Sequence, residues 1–242
     1  MPLGQSGARA CKEVGDLREE HGIEMTAARE QHPWARMLAV LLEPNHRMAF
    51  VFMAALAAAA FTIFPTMAPY MVRNVGLTET QLPFIYLTGG LCTFFSMNLI
   101  GRWADRSGKL YVFTLMSLSA TLPITALTHL PRVPLLGALA TSTLLMICMS
   151  GRFVPAMAMM TAAVESRYRG GFMSLNSSVQ QFSCGLAAWL TGNIIGQGAN
   201  GQITGYPVAG VVSVALVLTC IWLARFLRSA PTELSAEAVL IA

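Results

Sequence analysis

Six predominantly apolar stretches alternate with short polar segments along the 242-residue chain: 48–72, 82–100, 110–130, 133–164, 171–196 and 206–227. A helix needs roughly 20 apolar residues to cross the hydrocarbon core of a bilayer. The pattern therefore predicts an all-α membrane protein with six spanning helices. The fourth stretch is over-long, so it is expected to kink or to be preceded by an extramembrane turn at Pro131 and Pro134. Pro65, Pro69, Pro123 and Pro155 fall inside predicted spans, where neighbouring helices and Ser/Thr side chains can satisfy the carbonyls they free. The run Ala54–Ala60 in the first span and Gly89–Gly90 in the second are small enough to let helix backbones approach closely.

The flanks differ. Residues 1–32 carry both charge signs and no sustained apolar period. In 33–47, Trp34, Met37, Leu38, Leu41 and Leu42 recur at helical spacing, which suits either an amphipathic helix on the membrane surface or an extension of the first span. The expected organisation is an N-terminal segment over 1–47, a transmembrane domain over 48–228 and a tail over 229–242.

Composition agrees. The chain is 55% hydrophobic and 12% charged, against roughly 25% charged for soluble domains. From Met48 to Ala224 the only acidic residues are Glu79, Asp105 and Glu165. The pI near 9.0 does not signal nucleic acid, because the positive charges form no basic stripe with interleaved aromatics. They do set an orientation. Arg9, Lys12, Arg18, Arg29, Arg36, Arg47, Arg102, Arg106, Lys109, Arg167, Arg169, Arg225 and Arg228 fall on one side of the predicted spans, and only Arg73 and Arg132 on the other. The positive-inside rule makes the first side, with both termini, cytoplasmic. No signal peptide is visible in the polar first 36 residues. Four of the five cysteines lie in apolar runs without CxxC spacing and read as small buried residues. No metal-ligand spacing, nucleotide-binding loop or Ser/His/Asp grouping is present, so no cofactor, metal or enzymatic chemistry is expected.

Three features could carry function. The densest charge cluster of the apolar region is Gly101-Arg102-Trp103-Ala104-Asp105-Arg106-Ser107-Gly108-Lys109. It reads as a tight turn between the second and third spans, with Asp105 poised to accept from a helix N-terminus near Gly170–Gly171. Arg102, Arg106 and Lys109 are placed to pair with Asp105 or with lipid phosphate. The second feature is Arg152, near the middle of the fourth apolar run, where an arginine costs about 2.5–3.5 kcal/mol on insertion scales. Pro155 can free a carbonyl near Gly151 for it. Arg152 reads equally as a substrate-facing or gating charge and as a structural arginine. The third is the fifth span. Ser174, Ser177, Ser178 and Gln181 share one side at offsets of three, four and seven, with Asn176 and Gln180 as an adjacent pair. They suit a substrate cavity wall or bonds between helices. No carboxylate or histidine lies well inside a predicted span to relay protons.

Gly101–Lys109 resembles the signature of the major facilitator superfamily, G-x-L-A-D-R-x-G-R/K. It matches at Gly101, Ala104, Asp105, Arg106, Gly108 and Lys109. Trp103 departs from it, standing where the family usually has a smaller aliphatic residue. Asn74–Leu77 with Gln81–Pro83 and Tyr86–Gly90, Ser150–Ala156, and Arg169–Ser178 resemble the C-terminal half of arabinose-efflux-like and drug-efflux-like permeases. The resemblance covers about residues 35–228. It implies a six-helix bundle equivalent to one half of such a transporter, with 1–47 in the place of the linker between halves. It also implies a cytoplasmic latch at Gly101, Asp105, Arg106, Gly108 and Lys109. The implied function is efflux or exchange of small solutes, sugars or drug-like compounds, across a bacterial plasma membrane by alternating access. The implied partners are a small-molecule substrate, the lipid bilayer, and a second six-helix bundle or a second copy. The alternative is a transport-inactive membrane fragment.

Overall fold

The computed structural model describes residues 43–164, 169–198 and 200–227. The segments 1–42 and 228–242, with most of the surface helix expected over 33–47, lie outside the described residues. The described helices belong to the compact unit that starts at Glu43.

Apart from one minimal hairpin, the described structure is helical, and its elements are α1 (Pro44–Phe61), α2 (Phe64–Tyr70), α3 (Leu82–Ser107), α4 (Lys109–Thr128), α5 (Leu135–Gly151), α6 (Phe153–Ala162), α7 (Arg169–Ile194) and α8 (Tyr206–Ala224). A π-helical turn, Met71–Val75, follows α2 and ends at Gly76, whose φ of 89° is left-handed. The hairpin strands β1 (Gly196–Gln197) and β2 (Ile203–Thr204) pair antiparallel between α7 and α8, Gly196 opposite Thr204. Prolines stand in the first turns of α1, α2, α3 and α8, where the missing N–H has no intrahelical partner to lose. Before α3, the Gln81 side chain accepts from the Thr78 N–H at 3.0 Å, one half of a capping box.

Five of the six predicted spans are long and apolar enough to cross a membrane: His46–Val75, Glu79–Ser107, Lys109–Thr128, Leu135–Ala162 and Tyr206–Ala224. The remaining one, the fifth predicted span, is α7, which has 26 residues and is about 39 Å long at 1.5 Å per residue. Its first fifteen residues carry Ser174, Asn176, Ser177, Ser178, Gln180, Gln181 and Ser183, too many polar groups to qualify on composition. The long fourth span is two helices that meet at Arg152, with an irregular segment over 129–134 holding Pro131 and Pro134 before it. The first span also breaks, at Thr62–Ile63, just ahead of Pro65.

The helices follow a lateral order. α1 packs between α7 and α8; α8 continues onto α4, α4 onto α5, and α5 onto α3. The alanine run makes α1 the hub. Ser183 of α7 donates to the Ala54 carbonyl at 2.7 Å and Ser213 of α8 to the Ala59 carbonyl at 2.7 Å. Such bonds need backbones drawn close, which alanine permits. Aromatic contacts reinforce them, with Phe50 stacked on Phe172 at 4.5 Å and Phe52 edge-on to Phe113 at 5.3 Å.

The larger core lies at the end of the bundle away from the α3–α4 junction. It includes Ile63, Met67, Tyr70, Ile85, Ile124, Leu127 and Tyr206. There the Tyr70 and Tyr206 rings meet at 4.5 Å. The Tyr70 hydroxyl donates toward the Thr128 and Leu130 carbonyls at 3.3 and 3.2 Å, and that of Tyr206 to the Ile63 carbonyl at 3.2 Å. Asn74 clamps the hairpin: its amide nitrogen donates to the Ile203 carbonyl at 2.9 Å and its oxygen accepts from the Ile203 N–H at 2.8 Å. A smaller cluster of Ile100, Ala104 and Val112, joined by Trp103 and Met116, sits at the other end.

Candidate functional site

The charged stretch is not chiefly a turn. Gly101–Ser107 forms the last two turns of α3, and Gly108 alone separates it from α4. Gly108 has φ 94° and ψ 131°, a conformation costly for any residue with a Cβ, and its N–H closes on the Ala104 carbonyl at 3.1 Å. One residue suffices to reverse the chain because only glycine takes that geometry cheaply. The helical register then separates the charges. Asp105 and Lys109 line a 420 Å³ pocket with Met159, Ala162 and Arg225, whereas Arg102 and Arg106 line a different, 730 Å³ groove. Among the described residues the Asp105 side chain makes no hydrogen bond or ion pair. Among the described residues, the contacts expected from the sequence with Gly170–Gly171 of α7 and with the neighbouring arginines are not formed. The charges of the stretch stand apart, exposed or half-buried: Asp105 and Lys109 at the cleft between α3, α6 and the end of α8, Arg102 and Arg106 on the groove between α3, α4 and α5.

Arg152 is the largest fully buried side chain, 1% exposed. Its place at the α5–α6 junction follows from Pro155, which has no N–H for the Gly151 carbonyl. Gly151 brings the junction close to α3 and α4, since a Cβ there would lie 2.5 Å from Ile100 Cδ1 and 3.4 Å from Met116 Sδ. The guanidinium does not take the freed Gly151 carbonyl. Its Nη2 reaches across to the Leu56 carbonyl of α1 at 3.5 Å, and Nε and Nη1 have no partner. The Cys220 thiol of α8 is close enough to interact with it electrostatically. Arg152 thus ties the α5–α6 break to α1 by one long bond and keeps two donors unsatisfied.

The polar residues of α7 divide between two faces. Ser174, Ser177, Ser178 and Gln181 are exposed. Asn176 is buried at 2% exposure and Gln180 half-buried. These two share a side with Phe172, Ser183 and Ala187, at the spacing of a helix seam, and this side packs on α1. The Asn176 Oδ1 is buried without a partner. The structure therefore brings Asn176 and Gln180 toward α1 and keeps the Ser174/Gln181 face away from the bundle.

Sequence reasoning missed the acceptors on α1. The donors Ser183 and Ser213 are legible as polar residues inside apolar helices, and Ser183 continues the Asn176 seam at an offset of seven. Which carbonyls they reach depends on helix packing. Among the described residues no group of three or more His, Cys, Asp or Glu could hold a metal ion, and Cys92, Cys148, Cys184 and Cys220 are free, with Cys92 exposed.

The sequence model of the Major Facilitator Superfamily matches residues 50–239, more than three quarters of the chain. No curated protein matches it.

Proposed function

We infer that this chain, which belongs to the major facilitator superfamily, moves small solutes as a secondary carrier by alternating access. Members of the family are membrane transporters, and the helices here are those of an integral membrane protein. The finer reading is export of sugar-like or drug-like compounds across a bacterial plasma membrane, with the Gly108 junction and both termini cytoplasmic. The lysine and arginine asymmetry supports that orientation.

The observation that carries the reading is the exposed polar face of α7. The Ser178 hydroxyl donates to the Ser174 carbonyl at 3.3 Å, but a helix about 39 Å long that also presents Ser174, Ser177 and Gln181 outward cannot face hydrocarbon on that side without leaving the hydrogen bonds of these three side chains unmade. The face is suited to a wet cavity, where hydroxyl and amide groups would bind a polar solute. Arg152, buried one wall away, supplies a fixed positive charge whose two unpaired donors suit a gating or substrate-linked role.

Rocking needs two bodies. The lateral helices α3 and α7 carry the most open faces, and Phe84, Leu87, Leu91, Phe94, Phe95 and Leu99 of α3 are all exposed. That openness favours a second reading, in which the bundle is inactive until another six-helix bundle or a second copy closes the cavity. The test is flux into liposomes containing the purified chain, with sugars and cationic drugs as solutes. Saturable flux that Arg152→Ala abolishes supports the carrier reading. The absence of saturable flux, with wild type and variant alike, sinks it for the chain alone.

A further inference from the structure

Arg102 and Arg106 have no assigned partner. Among the described residues neither side chain makes an ion pair or hydrogen bond, and both line the 730 Å³ groove between α3, α4 and α5. The rest of its wall is chiefly apolar: Leu99, Ile100 and Trp103 from α3, Met116 from α4, and Leu144 and Ile147 from α5. No carboxylate lines it, since Asp105 belongs to the separate pocket. Leu99 is 70% and Leu144 44% exposed, so the groove opens sideways on the surface of the bundle.

We propose that this groove binds an anionic phospholipid of the leaflet at the α3–α4 junction, its acyl chain along the apolar wall and its phosphate between Arg102 and Arg106.

Three features select that occupant. The first is depth. From Ser96 to Arg106 the α3 wall spans eleven residues and ten helical rises, about 15 Å, half of a hydrocarbon core about 30 Å thick. The groove therefore covers one leaflet. The second is polarity along its length. Both arginines sit at the helix end, where headgroups lie, and the apolar residues extend toward the membrane middle. An amphipathic anion matches this order; a drug-like cation would meet two positive charges. The third is Trp103, which lines the groove half-buried and edge-on to Tyr111 at 6.5 Å. Indole and phenol rings favour the headgroup level, which fixes the height at which a phosphate would sit.

The test is binding, so it does not depend on transport. The full chain in detergent is titrated with phosphatidylglycerol, with phosphatidylcholine of the same chains, and with inorganic phosphate, and bound lipid is counted by native mass spectrometry. Phosphatidylglycerol should be retained in preference to phosphatidylcholine. Arg102→Gln with Arg106→Gln should weaken phosphatidylglycerol roughly thirtyfold, the effect of two cations acting on an anionic headgroup. The same pair changed to lysine should stay within a few-fold of wild type, which also guards against mere misfolding. Lys109→Gln, in the other pocket, should change nothing. The proposal is overturned if the two lipids bind alike, if the glutamine pair keeps wild-type affinity, if the lysine pair loses as much as the glutamine pair, if Lys109→Gln weakens binding as much as the glutamine pair, or if inorganic phosphate displaces the lipid.

Discussion

Replacing Arg152 by methionine separates a structural from a functional role. Methionine keeps the unbranched stem and much of the volume, so the cavity term of a truncation is small. What the arginine contributes to stability is one bond, Nη2 to the Leu56 carbonyl at 3.5 Å, at the outer edge of hydrogen-bonding distance. A hydrogen bond from a charged group is worth about 1.5–3 kcal/mol net, and one this long lies at the bottom of that range. Against it stands the cost of a central arginine, about 2.5–3.5 kcal/mol, with Nε and Nη1 buried and unpaired. In the denatured state the guanidinium reaches water or headgroups and escapes that cost. The difference predicts that Arg152→Met stabilises the bundle by about 1–2 kcal/mol. The assay is equilibrium unfolding in mixed micelles with increasing denaturing detergent, followed by far-UV circular dichroism. In parallel, flux in liposomes should be lost. A stabilised but inactive variant would mark Arg152 as a residue kept for function at the expense of stability. A loss of stability above about 1 kcal/mol would refute the reasoning, because it would mean that the buried donors are paired and the arginine is a structural tie.

Other substitutions probe the remaining contacts. Gly205→Ala should cost well over 1 kcal/mol while Gly89→Ala costs about 1 kcal/mol or less. A Cβ at Gly205 meets the rigid Ile194 backbone at φ 83°, whereas at Gly89 it meets only the flexible end of Met146; thermal unfolding of the two variants checks the order. Asn74→Ala removes both bonds to Ile203 and should cost about 2 kcal/mol, read as roughly thirtyfold faster hydrogen exchange at the Ile203 amide. Ser177→Leu with Gln181→Leu should leave stability within about 0.5 kcal/mol and raise the KM of transport, since neither side chain is buried in the bundle; unchanged flux would place that face against lipid instead. Ser183→Ala should cost only about 0.6 kcal/mol and leave flux intact, because its bond to Ala54 is a tie between helices.

Much of the helix pattern was legible because membrane helices must be long and apolar, a constraint that acts on each segment separately. Apolar stretches located all six helical spans, five of them apolar enough to cross a membrane, and Pro131 and Pro134 marked the loop before α5. One local reading failed for a definite reason. Gly101–Lys109 looked like a turn because charge and glycine cluster there, yet residues through Ser107 are compatible with a helix and only Gly108 must leave it. For Arg152 the sequence left the partner open, with the carbonyl freed by Pro155 within reach; the partner it takes is a carbonyl of the neighbouring helix, that of Leu56. In the fifth span, periodicity identified two polar faces without saying which would be covered.

The family membership and the all-α membrane architecture therefore follow from the linear pattern, since hydropathy and a nine-residue signature are properties of consecutive residues. Tertiary packing decided the rest. It made α1 the hub whose Ala54, Leu56 and Ala59 carbonyls accept from three other parts of the bundle. It also turned Asn176 inward and the Ser174/Gln181 face outward, and divided one charged stretch between two pockets. These outcomes depend on which helices lie side by side and at what rotation. No segment encodes that alone, because rotating a helix by half a turn exchanges its buried and open faces without changing its own hydrogen bonds.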